Sequence, residues 1–234
     1  MKNNFVVIIQ ARMASKRLKG KVLMKIKNKS FLDVLILRLK KSKQISKLIV
    51  ATTFNKQDNK IVQHCKNKNI TYFRGSENNV LERFYLTAKK FEAKNIIRIT
   101  SDCPLADPKL IDKMILIFKK NNKIQYLSNI NPPTYPNGFD VEIFTFKILK
   151  YYYNKKLTSY DKEHVTIKMK KSKFKKMNIK NNIDLSKFRV TLDYKKDFIF
   201  FKKLFKFINY DYNISLKRIL NLMNTKPDLF NRDQ

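Results

Sequence analysis

Residues 5–21 read FVVIIQARMASKRLKGK, and the fold turns on how this stretch is parsed. Phe5–Ile9 is continuously apolar and rich in β-branched residues, the pattern of a strand buried on both faces of a parallel sheet. The apolar run stops at Gln10, and the following loop packs Arg12, Lys16, Arg17, Lys19 and Lys21 around Ser15 and Gly20. In parallel α/β sheets ligands bind beyond the carboxyl ends of the strands. Guanidinium and ammonium groups beside exposed backbone N–H groups are what a triphosphate requires there. On charge alone, a solvated basic loop is the plain alternative. Neither GxxxxGK[ST] nor GxGxxG is present.

Outward from this stretch, strands and helices alternate. Leu48–Thr53, Thr71–Phe73 and Asn95–Thr100 read as strands. Phe31–Ser42, Asn59–Lys68, Val80–Phe91 and Pro108–Lys119 read as helices, the last with proline in its first turn. That alternation predicts a parallel sheet with right-handed crossovers. After about residue 120 the pattern loosens around the Pro/Asn/Gly loop Asn131–Gly138. Asp140–Phe144, Phe174–Ile179 and Phe188–Leu192 are strand candidates. Phe146–Tyr153, Lys162–Lys170, Phe198–Phe207 and Leu216–Met223 are helix candidates. The expectation is one α/β domain over residues 1–234, a nucleotide-binding half to about residue 120 and a second half carrying a small protruding lobe.

Composition narrows the class. The 234 residues hold 52 Lys and Arg against 18 Asp and Glu, a net charge of +34, with 43% hydrophobic residues. That apolar content supports a packed core and excludes a mainly disordered chain. The longest apolar runs, such as Phe5–Ile9 and Met114–Phe118, fall far short of the roughly 18–20 residues a membrane span needs. No signal-peptide pattern opens the chain. Cys65 and Cys103 have no CxxC spacing and make no disulfide framework, which suggests a reducing cytoplasm. The charge raises a nucleic-acid-binding alternative. Against it, only nine of the basic residues are Arg, the lysines are spread over almost every segment, and no nucleic-acid-binding motif occurs. A specific nucleic-acid partner is therefore not expected, although the field concentrates anionic ligands.

Carboxylates sit where a hard cation could be held. Asp102 follows the strand ending at Thr100, and Asp193 follows Phe188–Leu192. Two strand-end carboxylates can share one Mg²⁺ whose other ligands are phosphate and water, although each is as readily a cap or turn residue. Asp140 and Glu142 fall on one face if their segment is a strand. His164 could meet an anionic substrate, and His64 reads as a surface residue. No Ser-His-Asp or Cys-His constellation can be assembled.

Taken together and in order, these segments carry a resemblance. IIQARMASKRLKGKVL (8–23), LIVATTFN (48–55), YFRGSENNVLERF (72–84), IIRITSDCPLADPKLID (96–112), TYPNGFDVEIF (134–144), KEHVT (162–166) and FRVTLDYKKDF (188–198) resemble the CMP-sugar-forming cytidylyltransferases. The similarity is to the spore-coat polysaccharide branch, with acylneuraminate and 3-deoxy-manno-octulosonate cytidylyltransferases more distant. It implies a Rossmann-like nucleotide-diphospho-sugar transferase fold with a mostly parallel sheet. It also implies a Mg²⁺-dependent attack of a sugar hydroxyl, on an acidic or neutral sugar, at the α-phosphate of CTP. On that resemblance Arg12, Ser15, Arg17 and Lys21 would hold the triphosphate, with Arg12, Lys21 and Asp102 catalytic. Backbone around Gln10 and Ala11, with Thr52, would frame the base, and Ser76 and Arg83 would lie beside the nucleotide. Asp102 and Asp193 would bind the metal, and Asp140, Glu142 and His164 would face the sugar. A homodimer is implied too, and another nucleotidyl- or glycosyltransferase on the same fold is the neighbouring alternative. Ala14, Lys19 and Ser101 stand where the family has Gly, Pro and Gly, and Tyr194 where it has a smaller residue. The lost glycines would matter if those positions needed a positive φ.

Overall fold

The computed structural model describes residues 4–231. Its centre is a seven-stranded sheet of order β5-β4-β1-β6-β8-β7-β9. The strands are β1 (Phe5–Gln10), β4 (Lys47–Thr53), β5 (Tyr72–Gly75), β6 (Asn95–Thr100), β7 (Tyr126–Ser128), β8 (Glu142–Thr145) and β9 (Lys176–Asn178). A separate two-stranded ribbon pairs β2 (Lys25–Ile26) with β3 (Lys29–Ser30). β1 lies between β4 and β6, parallel to both, and β5 extends the parallel set. β8 runs antiparallel to both β6 and β7, while β7 and β9 are parallel. The sheet is thus mostly parallel with one reversed strand, a common form for large α/β sheets.

Alternation along β1 sends its side chains to two cores. Phe5, Val7 and Ile9 pack with α1 (Phe31–Leu39), α2 (Asn59–Asn67), α4 (Pro108–Lys120), α8 (Lys195–Phe207) and α9 (Leu216–Thr225). Val6 and Ile8 pack with α3 (Val80–Lys90), α5 (Phe146–Tyr153) and α7 (Ile167–Lys170). β1 residues 5–9 are at most 1% exposed, and each such apolar side chain contributes about 1.5–3 kcal/mol by leaving water. α1 starts where Ser30 accepts the Asp33 N–H and Asp33 accepts the Ser30 N–H, a reciprocal cap.

Several expectations are corrected. Lys162–Lys170 is two short helices, α6 (Ser159–His164) and α7, broken at Val165 with φ 53°. Phe188–Leu192 is no ladder strand: its recorded strand pairing is one isolated bridge, Asn137 to Arg189. β7, β2 and β3 are too short to leave a readable period. His64 is not a free surface residue, because its Nε2 lies 2.9 Å from Asp33 Oδ1. Ala14 and Ser101 are absent from the positive-φ residues, so neither needs glycine's freedom.

The extended segment 188–193 is held by the loop before β8. Val190 N–H donates to Asn137 O at 2.7 Å, and Asn137 N–H to Phe188 O at 2.9 Å. Gly138 makes this approach feasible: its φ is 113°, and a Cβ there would lie 2.8 Å from the Val190 carbonyl. Gly138→Ala is therefore expected to cost about 2–5 kcal/mol, from backbone strain plus overpacking. Urea unfolding checks this, and unchanged stability would contradict the packing described.

Candidate active site

The loop after β1 is folded back on itself. Gly20, at φ 69°, donates its N–H to Met13 O, as does Ser15. Met13 N–H is in turn fixed by the buried Asp58, whose other oxygen accepts from Thr53. A 3-10 turn, Lys21–Leu23, then starts with its lysine turned inward. The result is a cavity of about 410 Å³ at the carboxyl ends of β1 and β6. Gln10, Ala11, Arg12, Ser15, Arg17 and Lys21 line one side, with Lys16. Arg83 and Val80 of α3, Arg98, Thr100, Ser101 and Asp102 at the end of β6, and Glu163 and His164 of α6 complete it.

Asp102 and Asp193 do meet. Leu192 N–H donates to Asp102 O at 2.8 Å, which brings the 188–193 segment to the end of β6. Lys21 Nζ lies 3.3 Å from Asp102 Oδ2 and 2.8 Å from Asp193 Oδ1. Arg17 adds a 2.6 Å contact to the same Asp193 oxygen and stacks on Tyr194, 5.1 Å from the ring centre. The unusual Tyr194 thus steadies the arginine beside the carboxylate. Burial alone would raise the Asp193 pKa, but hydrogen bonds and charge from Lys21 and Arg17 hold it below the usual range. Asp193 is itself positioned by Asp197, which accepts the Asp193 and Tyr194 N–H groups and is forked by Arg189. Among the described residues there is no cluster of three or more His, Cys, Asp or Glu arranged for a metal.

The remaining sequence candidates divide. Arg12 stands between Glu77 and Glu163, 3.7 Å from each. Arg83 is 2% exposed and donates to Ser76 O, and its Nε has no partner among the described residues. Ser76 lies off the cavity wall and its Oγ accepts the Asn79 N–H. Thr52 is fully buried, also off the wall, and its Oγ1 has no hydrogen-bond partner among the described residues. His164 reaches the wall, with Tyr160 packed on it at 4.3 Å between ring centres.

Glu142 departs from the expectation that it faces the sugar. It is 2% exposed and bonded by Arg98, Tyr126 and Lys170. A buried carboxylate is tolerable only when so paired, and this pairing leaves it closed to a substrate. Arg98 and Asp58 carry weight that the motifs did not assign. The signal for Arg98 was a lone charge within the apolar run IIRIT; Asp58, in a polar turn, had none.

Asp140 is half-buried near both Glu142 and Asp102. Burial first, then the Glu142 charge, push its carboxyl up to about 6. A folded pKa above the unfolded value of about 3.9 means the stabilising contribution is whole below pH 4 and lost as pH rises through 6. Relative to Asp140→Asn, the wild type should thus be less stable at pH 7.5 than at pH 4, by on the order of 2–3 kcal/mol. Paired urea titrations at both pH values test this, and a constant difference contradicts it.

A cytidylyltransferase profile matches residues 6–225. A solved cytidylyltransferase of Leptospira borgpetersenii superposes with a TM-score of 0.92 at 30% identity, covering 100% of this chain and 98% of that one. An uncharacterised protein of Methanocaldococcus jannaschii is 39% identical over 96% of this chain and 92% of its own length. The spore coat polysaccharide biosynthesis protein SpsF of Bacillus subtilis is 29% identical over 97% and 96%. A CMP-2-keto-3-deoxy-manno-octonic acid synthetase solved with CTP shares the fold, with a TM-score of 0.67 at 14% identity over 88% of this chain and 99% of that one. With the profile running from β1 through α9, the chain belongs to the cytidylyltransferase family.

Proposed function

We propose that the protein transfers CMP from CTP to a sugar hydroxyl and releases pyrophosphate, activating the sugar for polysaccharide or glycoconjugate synthesis. One observation carries this reading: Arg12, Lys16, Arg17, Lys21, Arg83 and Arg98 line a single cavity whose floor ends in Asp102. These cations outnumber the two carboxylates on the wall, Asp102 and Glu163, which suits a polyanionic ligand. In the reaction the hydroxyl oxygen bonds to the α-phosphorus while the bond from that phosphorus to the bridging oxygen of pyrophosphate breaks. Such in-line displacement depends on positioning and charge neutralisation more than on a covalent nucleophile. Arg12, Arg17 and Lys21 supply that charge from the loop side.

Asp102 and Asp193 fit a Mg²⁺ ion. They are hard oxygen donors, and both already direct an oxygen at one cation, Lys21 Nζ. When bound, the ion would neutralise phosphate charge and acidify the attacking hydroxyl. Lys21, on a flexible stem, is then free to exchange carboxylate for phosphate. Asp140 and His164 are the residues proposed to face the sugar, Glu142 being closed off.

Purified protein with CTP and Mg²⁺ should release pyrophosphate with at least one of a panel of acidic and neutral sugars. CTP should raise the melting temperature more than UTP, GTP or ATP does. Silence across the panel together with no preference for CTP would refute the reading. Asp102→Asn and Asp193→Asn should each lower turnover at least a hundredfold, about 3 kcal/mol of barrier. Each variant leaves Lys21 one carboxylate, so melting temperatures should stay within a few degrees. Near-normal turnover in both would show that the assignment of these aspartates is wrong.

A further inference from the structure

A polar chain runs from the buried side of β8 to the cavity wall. Glu142 on β8 sits opposite Arg98 on β6 in the antiparallel register. Its Oε2 is 2.5 Å from Arg98 Nη1, and its Oε1 accepts from Tyr126 OH, with Lys170 Nζ at 3.4 Å. Arg98 then donates through Nε to Gln10 Oε1 at 3.2 Å. Gln10 is the last residue of β1, and both it and Arg98 line the cavity.

The orientation of the Gln10 carboxamide follows from donor chemistry. A guanidinium has only donors, so the atom that faces it must be the amide oxygen. The amide nitrogen is thereby turned away from Arg98. Among the described residues Gln10 Nε2 donates to no protein acceptor. A flip of the amide would place N–H against N–H and leave Arg98 Nε unpaired. Arg98 cannot easily swing aside, because its own Nη1 is anchored on a carboxylate that is 2% exposed. Such a buried ion pair is weak evidence for stability, since apolar residues often do as well. Its value here lies in orientation.

We propose that Gln10 is a substrate-binding residue whose Nε2–H donates to a hydrogen-bond acceptor on the bound substrate, and that Arg98 and Glu142 are positioning residues that lock it in that sense. This rests on the cytidylyltransferase reading and deepens it. The recognised group is an acceptor, such as a carbonyl or ring nitrogen. It belongs either to the nucleotide or to the sugar.

The experiment is a double-mutant cycle on the full chain with Gln10→Met, Glu142→Gln and the pair. CTP affinity is measured by titration calorimetry without sugar, and pyrophosphate release is measured at saturating CTP against sugar concentration. Gln10→Met should weaken one of the two about tenfold, the worth of one hydrogen bond. Weaker CTP binding places the acceptor on the nucleotide. Unchanged CTP binding with slower release at low sugar places it on the sugar. Glu142→Gln should lower the same quantity, and the pair should be no more than about twofold worse than Gln10→Met alone. A glutamate acting only on folding would instead multiply the two losses. Multiplied losses, or a Gln10→Met variant with both quantities unchanged, overturn the proposal. If Glu142→Gln does not fold, Tyr126→Phe, which removes a hydrogen bond to Glu142 off the cavity wall, opens the same cycle with a smaller loss expected. A wild-type protein that neither binds CTP nor releases pyrophosphate overturns the parent reading, and this one with it.

Discussion

The site depends on one buried ammonium. Lys21 is 9% exposed, and a charge that far from water needs opposite charge at contact distance. Asp102 and Asp193 provide it from distant parts of the chain. The Leu192 to Asp102 backbone hydrogen bond and the Asn137 clasp on residues 188–190 make that meeting geometrically fixed. Two carboxylates so close would repel each other if no cation lay between them. The lysine occupies the place between the two carboxylates where the proposed divalent ion would be held.

A similar economy appears around the cavity. Charged groups at the cavity are backed by charged groups behind them. Arg17 leans on Asp193 and Tyr194, Asp193 on Asp197, and Arg98 on Glu142. Hydrogen bonds between ionised groups are short and directional, so each backing group narrows the range of positions its partner can take. Pre-set donors of this kind neutralise developing charge without reorganising during the reaction. Rigid strand ends of β1 and β6 supply the frame, and the folded loop pinned by Asp58 supplies the cations.

The glycine-poor composition also acquires a structural meaning. Ala14 and Ser101 occupy places where glycine is usual in the family, yet neither adopts a positive φ. Two glycines do stand at positive φ near the site: Gly20 closes the basic loop, and Gly138 admits the 188–190 segment.

The first half of the fold was legible from local pattern. Buried parallel strands are continuous apolar runs and their crossover helices are amphipathic, so β1, β4, β6 and α1 to α4 could be read almost to their ends. The basic loop and Asp102 past the end of β6 were legible as well; Asp193 was singled out too, although the segment before it is no ladder strand. A three-residue strand such as β7 carries too few positions to show a period, and the break at Val165 left no proline or glycine to announce it. The fate of Glu142 was hidden for a different reason. Its partners Arg98, Tyr126 and Lys170 come from separate elements, and only the sheet register decides that they meet. The sequence by itself determined the sheet class, the cationic loop and the aspartates. Tertiary structure alone decided which charges pair with one another and which face the cavity, because pairing depends on distances between segments that local propensity does not encode.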